Sequence, residues 1–344
     1  MRLTAETTCL SWIPPTAVEG AFKLPFAWGV AHYDNPPPDV SPDVEALLSA
    51  DAIRFANQMR AWIEVEDGHI SDHGMTGGGR LGSTTVRLTK RGMTFVGVAL
   101  PDLVAPPEVF PDRVRFRQTC GGHTGAPVPR AISHPPYVRV SAPIAWSTIE
   151  LTLHTDGTSQ SKIAGASLFP RHYLYDTTGR LTHKTAVIRY KDWLRRSERE
   201  HSPWAGVSEP VPTAGVKEEA ERSLADTILM SARYEQYRLP AGSMFGSRPL
   251  RDDQVAVLLD GLLLVLLDDE PAVELGPGAI FDPSARTAES KEHAKIRAET
   301  NARFALLSRG QLDSEVLLDV ASEQTMRLHS VLQQRHAPDQ RDQA

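Results

Sequence analysis

Cysteine is scarce. Cys9 and Cys120 are the only two in 344 residues, far apart and without paired spacing, which excludes a disulfide framework and a cysteine metal site and suits a reducing cytoplasm. Positive charge is not in excess either: the formal net charge of −6 gives no general pull toward nucleic acid or an anionic membrane. Long apolar runs are missing as well. The longest, "VAVLLDGLLLVLL" at 255–267, is broken by Asp260 and Gly261, is too short for a bilayer span, and reads as two buried strands and a turn. The opening "MRLTAETTCLSWIPPT" has no apolar centre before its prolines, which argues against a secretory signal. No internal repeat and no low-complexity tract stands out.

Proline and glycine, by contrast, are plentiful at 26 and 24 residues, so many turns and connectors are expected, and the length suits two domains. Residues 1–48, with "NPPPDVSPD", are expected to be an irregular proline-rich arm. "DVEALLSADAIRFANQMRAW" places Val44, Leu47, Leu48 and Ile53 at near-helical spacing behind a capping Asp43. From about 60 to 190 the period changes to two, in "AWIEVED", "STTVRLTK", "MTFVGVAL", "RVRFRQT" and "WSTIELTLH", predicting an antiparallel β domain over 49–201. In "TIELTLH", Ile149, Leu151 and Leu153 share one face, and Glu150, Thr152 and His154 the other, wet one. "HTDGTS" and "YDTTGRL" carry hairpin chemistry, implying a meander, with closure into a barrel left open. "SPWAGVSEPVPTAGV", 202–216, reads as the linker, and 217–237 as a connecting helix with Leu224, Ile228 and Leu229 on one face.

The segment 238–312 carries three recognisable signatures. They are Leu239-Pro240-Ala241-Gly242 before a strand, Leu259-Asp260-Gly261 at a hairpin, and Leu275-Gly276-Pro277-Gly278 ahead of an apolar pair. Together they resemble the cyclic nucleotide-binding domain family, over less than a quarter of the chain. The resemblance implies a double-stranded β-roll of jelly-roll type flanked by helices, with the phosphate held by a short helix and loop. The family's cassette continues with Gly-Glu and later Arg before Ser or Thr and Ala. Glycine admits the phosphate to backbone N–H groups, glutamate holds the ribose hydroxyl, and arginine pairs with the phosphate. Here Asp282 and Pro283 follow Phe281, and Glu292 and His293 precede Ala294. Glu292 puts a negative charge where the family puts a guanidinium, a repulsion of about 4 kcal/mol at ~4 Å and intermediate dielectric. Lys291 is one position away, which on a strand is the opposite face. Ordinary cAMP or cGMP binding is therefore expected to be lost. Asp282, Ser284, Arg286, Ser290, Lys291, Glu292 and His293 remain as candidate ligand-binding residues for another anion or a protein partner, beside the alternative of a solvated loop.

Family transcription factors place a helix-turn-helix after the roll. Only 32 residues, 313–344, follow Leu312, so no DNA-binding module of that type is expected. Residues 313–335 read as a helix whose Leu317, Val320, Leu328 and Val331 stripe suits either a homodimer contact or the roll itself, and 336–344 as a tail.

Other constellations have structural readings. "GGGRLG", 77–82, matches a dinucleotide fingerprint but precedes a strand, so a hairpin connection or bulge is expected. His69 and His73 would need a helix to share a metal. Glu64 and Glu66, and Arg113, Arg115 and Arg117, suggest cross-strand ladders, with a basic wall for an acidic ligand as the sharper alternative. Cys120 and His123 are neighbours only in sequence, and "FPRHYLYD", 169–176, suits a pocket mouth or a core strand. No catalytic residue, cofactor or metal is assigned. Three classes remain: a regulatory or scaffold protein whose roll serves a partner or another ligand, a cyclic-nucleotide sensor with an unusual cassette, and an enzyme or hydrophobic-ligand carrier with its cavity in the N-terminal β domain. The expected location is the cytoplasm, with no membrane partner.

Overall fold

Residues 2–12, expected to begin an irregular arm, form an interior strand of a six-stranded sheet. The computed structural model describes residues 1–15, 32–38, 43–88, 91–125, 127–131, 138–196, 199–206, 209–215, 234–245, 250–251, 253–267, 269–281 and 294–311, with Ala17, Val18, Lys23, Phe26 and Val40 between them. It divides into two units, Met1–Val216 and Lys217–Ala344.

In the first unit, β1 (Arg2–Trp12), β2 (Phe55–Glu66) and β3 (His69–Leu81) form an antiparallel meander, with Asp67 and Gly68 at positive φ in the β2–β3 turn. Two hairpins follow: β4 (Ser83–Leu88) with β5 (Arg91–Val96), and, later, β10 (Val128–Ala131) with β11 (Val138–Ser141). Between them β6 (Val98–Ala99), β7 (Leu103–Val104) and β8 (Glu108–Val109) pair in turn along β9 (Arg113–His123). Then come β12 (Ile144–His154), β13 (Ser159–Ala166), β14 (Arg171–Tyr175), β15 (Leu181–Thr185) and β16 (Thr213–Gly215).

The order β16-β15-β14-β1-β2-β3 makes one sheet; β13-β12-β9-β6, with β7 and β8 also on β9, makes a second. A simple meander is thus corrected to a two-sheet sandwich, because β1 pairs with the distant β14, Cys9 opposite Leu174. Cys9, Ala61, Ile63, Phe116, Ile149, Leu151 and Leu174 pack into one core cluster, in which the buried Ile, Leu and Phe side chains contribute about 1.5–3 kcal/mol each. A second cluster joins Leu10, Trp12, Tyr173 and Tyr175 to Val44 of α1 (Val44–Ser49). Asp43 caps α1 as expected, accepting from Glu45 and Ala46 N–H. The helix stops at Ser49 and Ile53 lies beyond it, because the period-two pattern from Phe55 takes over as β2. A short α2 (Tyr190–Arg196) buries Trp193, whose Nε1 donates to the Ile144 carbonyl.

The expected linker at 202–216 is corrected. Thr213–Gly215 pairs with β15, and Pro203–Ala205 is a 3₁₀ turn behind the buried Ser202, so strand pairing outweighs a loop-like composition. Of the helix expected over 217–237, residues 217–233 lie outside the described residues, and Glu235–Leu239 is a strand.

That strand, β17 (Glu235–Leu239), opens the second unit, followed by β18 (Gln254–Asp260), β19 (Leu263–Leu267), β20 (Glu270–Leu275), β21 (Ile280–Phe281), β22 (Ala294–Ala298) and β23 (Ala302–Ser308). Two antiparallel sheets, β17-β23-β18-β21 and β20-β19-β22, form the roll. The Asp260-Gly261 turn carries the chain between the sheets. Gly261 has φ +108, and a Cβ there would sit 2.7 Å from Ala302 Cα, so this turn requires glycine. The helix expected at 313–335 and the tail lie outside the described residues.

Candidate functional site

In the roll, the approach to the cassette is built by the Gly276-Pro277-Gly278 turn. Ala279 N–H donates to the Gly276 carbonyl at 3.1 Å and Gly278 N–H to Leu258 at 2.8 Å, while Leu258 N–H donates back to Ala279 at 2.8 Å. These bonds deliver Ile280 and Phe281 to β18, opposite Val257 and Ala256. Beyond Phe281, the candidates Asp282, Ser284, Arg286, Ser290, Lys291, Glu292 and His293 all lie outside the described residues. The chain is described again at Ala294, paired with Leu267. At this end Phe245 stands 4.8 Å from Phe281 and 4.9 Å from Phe304 between ring centroids, with Tyr237 5.8 Å from Phe304. They pack against an apolar cluster of Leu239, Ala256, Leu258, Leu263 and Phe304.

The strongest polar constellation is on the outward face of the first unit's second sheet. Strand alternation turns Ile149, Leu151 and Leu153 into the core and Glu150 outward, where β9 and β13 bring cations to it: Arg117 Nη2 at 2.8 Å, Lys162 Nζ at 2.8 Å and Arg115 Nε at 3.3 Å. Arg115 also reaches Glu108 at 3.0 Å, and Arg113 pairs with Asp112 at 2.9 Å over Phe110. Burial raises the Glu150 pKa, but hydrogen bonds from Lys162 and Arg117 and the charges of Lys162 and Arg115 outweigh it and hold the carboxyl below its ordinary range. The expected face of Glu150, Thr152 and His154 is therefore wet only in part. Of the arginine ladder, Arg115 and Arg117 have Glu150 as their partner and Arg113 has Asp112, whereas Glu64 is on the other sheet, 3.8 Å from Arg2. Lys162 carried a legible signal, since it alternates with the core residue Ile163, but its partner depends on the β12–β13 register.

Beside this cluster opens a cleft of about 620 Å³, lined by Arg113, Arg115, Glu150, Thr152, His154, residues 159–162, Asp176, Thr182 and His183. Every lining residue is polar or charged.

Other sequence candidates resolve into structure. Gly77, Gly78 and Gly79 of "GGGRLG" continue β3, and Gly82 lies between β3 and β4. A Cβ on Gly79 would sit 2.7 Å from Cys120 Cβ, and Asp102 accepts from Gly79 N–H at 3.1 Å. Strand β14, with Arg171 and His172, is buried throughout, so it is core and no pocket mouth. His172 Nδ1 lies 2.6 Å from Ser11 Oγ and Nε2 3.1 Å from the Ser167 carbonyl. Burial lowers its pKa to about 4, against the Ser167 bond, with Arg171 helping. With Ser11 and His172 sealed from solvent, the pair orders the core. Burial likewise pushes the Cys9 thiol up to about 12 and the Cys120 thiol higher still, so neither is poised as a nucleophile, and His123 Nδ1 faces the Ala142 carbonyl. His69 faces the Asp67 carbonyl and His73 packs near Phe116. Among the described residues no three His, Cys, Asp or Glu groups are arranged to hold a metal, and no helix is long and apolar enough to cross a membrane. Sequence reasoning missed the buried pair Arg54–Asp34, at 2.7 Å, with burial pushing the Asp34 carboxyl up to about 6 against the pull of Arg54.

No family model matches the chain, and no curated protein does. Solved structures similar to it include cyclic nucleotide-binding domains. Cyclic-AMP-bound PfPKA-R is 17% identical over 29% of this chain and 36% of that one, at a TM-score of 0.25. A cyclic nucleotide-binding domain from Methylobacillus flagellatus is 21% identical over 29% of this chain and 60% of its own, at 0.17. The heme domain of CooA from Carboxydothermus hydrogenoformans is 13% identical over 35% and 98%, at 0.22. The chain thus spans well under two thirds of the first of these. At such TM-scores the likeness assigns neither ligand nor activity.

Proposed function

We propose that the second unit is a regulatory or scaffold β-roll that has given up ordinary cyclic-nucleotide binding and serves a protein partner or another ligand. The observation that carries this reading is the charge reversal in the cassette: Glu292 where a phosphate arginine belongs, with Pro283, which has no N–H, in place of the ribose carboxylate. Calorimetry with cAMP and with cGMP should show no binding at micromolar concentrations, and Pro283→Glu combined with Glu292→Arg should strengthen it. A micromolar or tighter dissociation constant for the unaltered chain would overturn the reading in favour of a sensor with an unusual cassette.

A further inference from the structure

We propose that two basic, amphipathic β-ribbons at one end of the first unit dock it on an anionic lipid surface. The site lies outside the roll and does not depend on how the roll is read. The first observation is placement. Among the described residues, the hairpins β4–β5 and β10–β11 each bond only within themselves, outside both main sheets. Val98 and Ile144 both lie opposite His123. The root of one ribbon, where Gly97 N–H donates to the Gly82 carbonyl at 3.2 Å, therefore neighbours the root of the other, where Thr124 N–H donates to the Pro143 carbonyl at 2.9 Å. Both leave from the same end of the second sheet. Buried Arg54 holds the first root, its Nη1 donating to the Ser83 carbonyl at 3.0 Å and to Thr84 Oγ1 at 3.2 Å.

The second observation is pattern. Cross-strand partners share a ribbon face, and alternate residues return to it. In β4–β5, Val86 stands opposite Met93 and Thr84 opposite Phe95; in β10–β11, Pro129 stands opposite Val140 and Ala131 opposite Val138. Each ribbon thus has one largely apolar face, and Met93 at 57% and Val140 at 65% exposure are too open to belong to a core. A two-stranded ribbon is marginal by itself in water, so an apolar phase against these faces stabilises both.

The third is charge. The formal net charge of −6 is unevenly spread: residues 83–96 carry Arg87, Lys90 and Arg91, residues 124–143 carry Arg130 and Arg139, and neither stretch holds Asp or Glu. Arg130 and Arg139 occupy directly opposite register positions, an arrangement that costs stability until an anion neutralises it. Cations beside exposed apolar positions suit the interface of a bilayer, where aliphatic groups enter the acyl boundary and Arg and Lys meet lipid phosphate. Nucleic acid fits less well, since neither stretch holds Asn or Gln to read a base edge, and the exposed Met93 and Val140 gain nothing from a phosphate backbone.

The test is co-sedimentation of the full chain with vesicles of phosphatidylcholine alone and of phosphatidylcholine with about one third phosphatidylserine. Binding is expected to the anionic vesicles only, falling as salt is raised. Met93→Ser combined with Val140→Ser keeps every charge and should weaken it roughly tenfold. Arg139→Glu places a carboxylate opposite Arg130, so it should leave the melting temperature at or above the parent's while weakening binding roughly twentyfold. The proposal is overturned if anionic vesicles do not carry the chain down, if uncharged vesicles do so equally well, or if folded Arg139→Glu protein binds undiminished. Undiminished binding by the folded Met93→Ser, Val140→Ser protein would overturn it in favour of a purely electrostatic site for a polyanion such as nucleic acid.

Discussion

A carboxylate on the outward face of a strand is ordinarily solvated, yet Glu150 is nearly as buried as the core because Arg115, Arg117 and Lys162 close over it. Replacing it by glutamine keeps the shape and leaves three cations facing one another. These are 31–58% exposed, so the cost of a broken buried pair is discounted for solvent screening to about 1–2 kcal/mol. Its folded pKa is depressed, so its contribution is complete above the unfolded value near ~4.3 and fades as pH falls through the lower folded one. Thermal melts should therefore separate the parent from Glu150→Gln at neutral pH and bring them together in acid; an equal gap at both would refute the assignment. His172 acts in the same direction. Its pKa of about 4 lies below the unfolded value near ~6.5, so between these the unfolded chain binds a proton that the folded chain refuses. Stability should fall on acidification through that window, by up to about 3 kcal/mol. Ring resonances of His172 should hold steady from neutral pH to about pH 5, and a midpoint above 6 would contradict its buried, neutral state.

At the scale of elements, the glycine run of β3 is a packing device. Gly77 pairs with Met59 at φ +152, and a Cβ there would collide with the Gln58 carbonyl, which is backbone and cannot yield. Gly77→Ala should destabilise the first unit by roughly 2–3 kcal/mol in denaturant melts, from strain and overpacking together. A loss below half a kcal/mol would return these glycines to an incidental role. Much of the element pattern was legible. The Asp43 cap, the turns at 155–158 and 176–180 and the strands around Ile149 follow from local chemistry, in which neighbours a few residues apart decide the outcome. Leu259-Asp260-Gly261, expected at a hairpin, instead joins the two sheets of the roll, because β18 pairs with β21 and β23 and β19 with β20 and β22. β1 was not legible, because its inward positions are Ala5, Thr7 and Cys9, small residues whose alternation is weak until β2 and β14 flank it.

At the scale of the molecule, the division falls at 216/217, and the Pro- and Gly-rich segment before it belongs to the first unit's sheet through β16. Limited proteolysis should therefore spare 202–215 and cut beyond Val216, leaving an N-terminal fragment that still melts cooperatively. Early cleavage within 202–215 would restore that stretch as a linker. By itself the sequence determined the β class, the hairpins of the first unit and the roll signatures, since each is written in residue type and short spacing. Only the tertiary structure decided that residues 2–12 are an interior strand, that Glu150 rather than Glu64 pairs with Arg115 and Arg117, and that Thr213–Gly215 joins the first unit's sheet. The reason is that strand order and register are set by contacts between segments tens of residues apart, whose energies depend on which face each strand buries and which neighbour it finds.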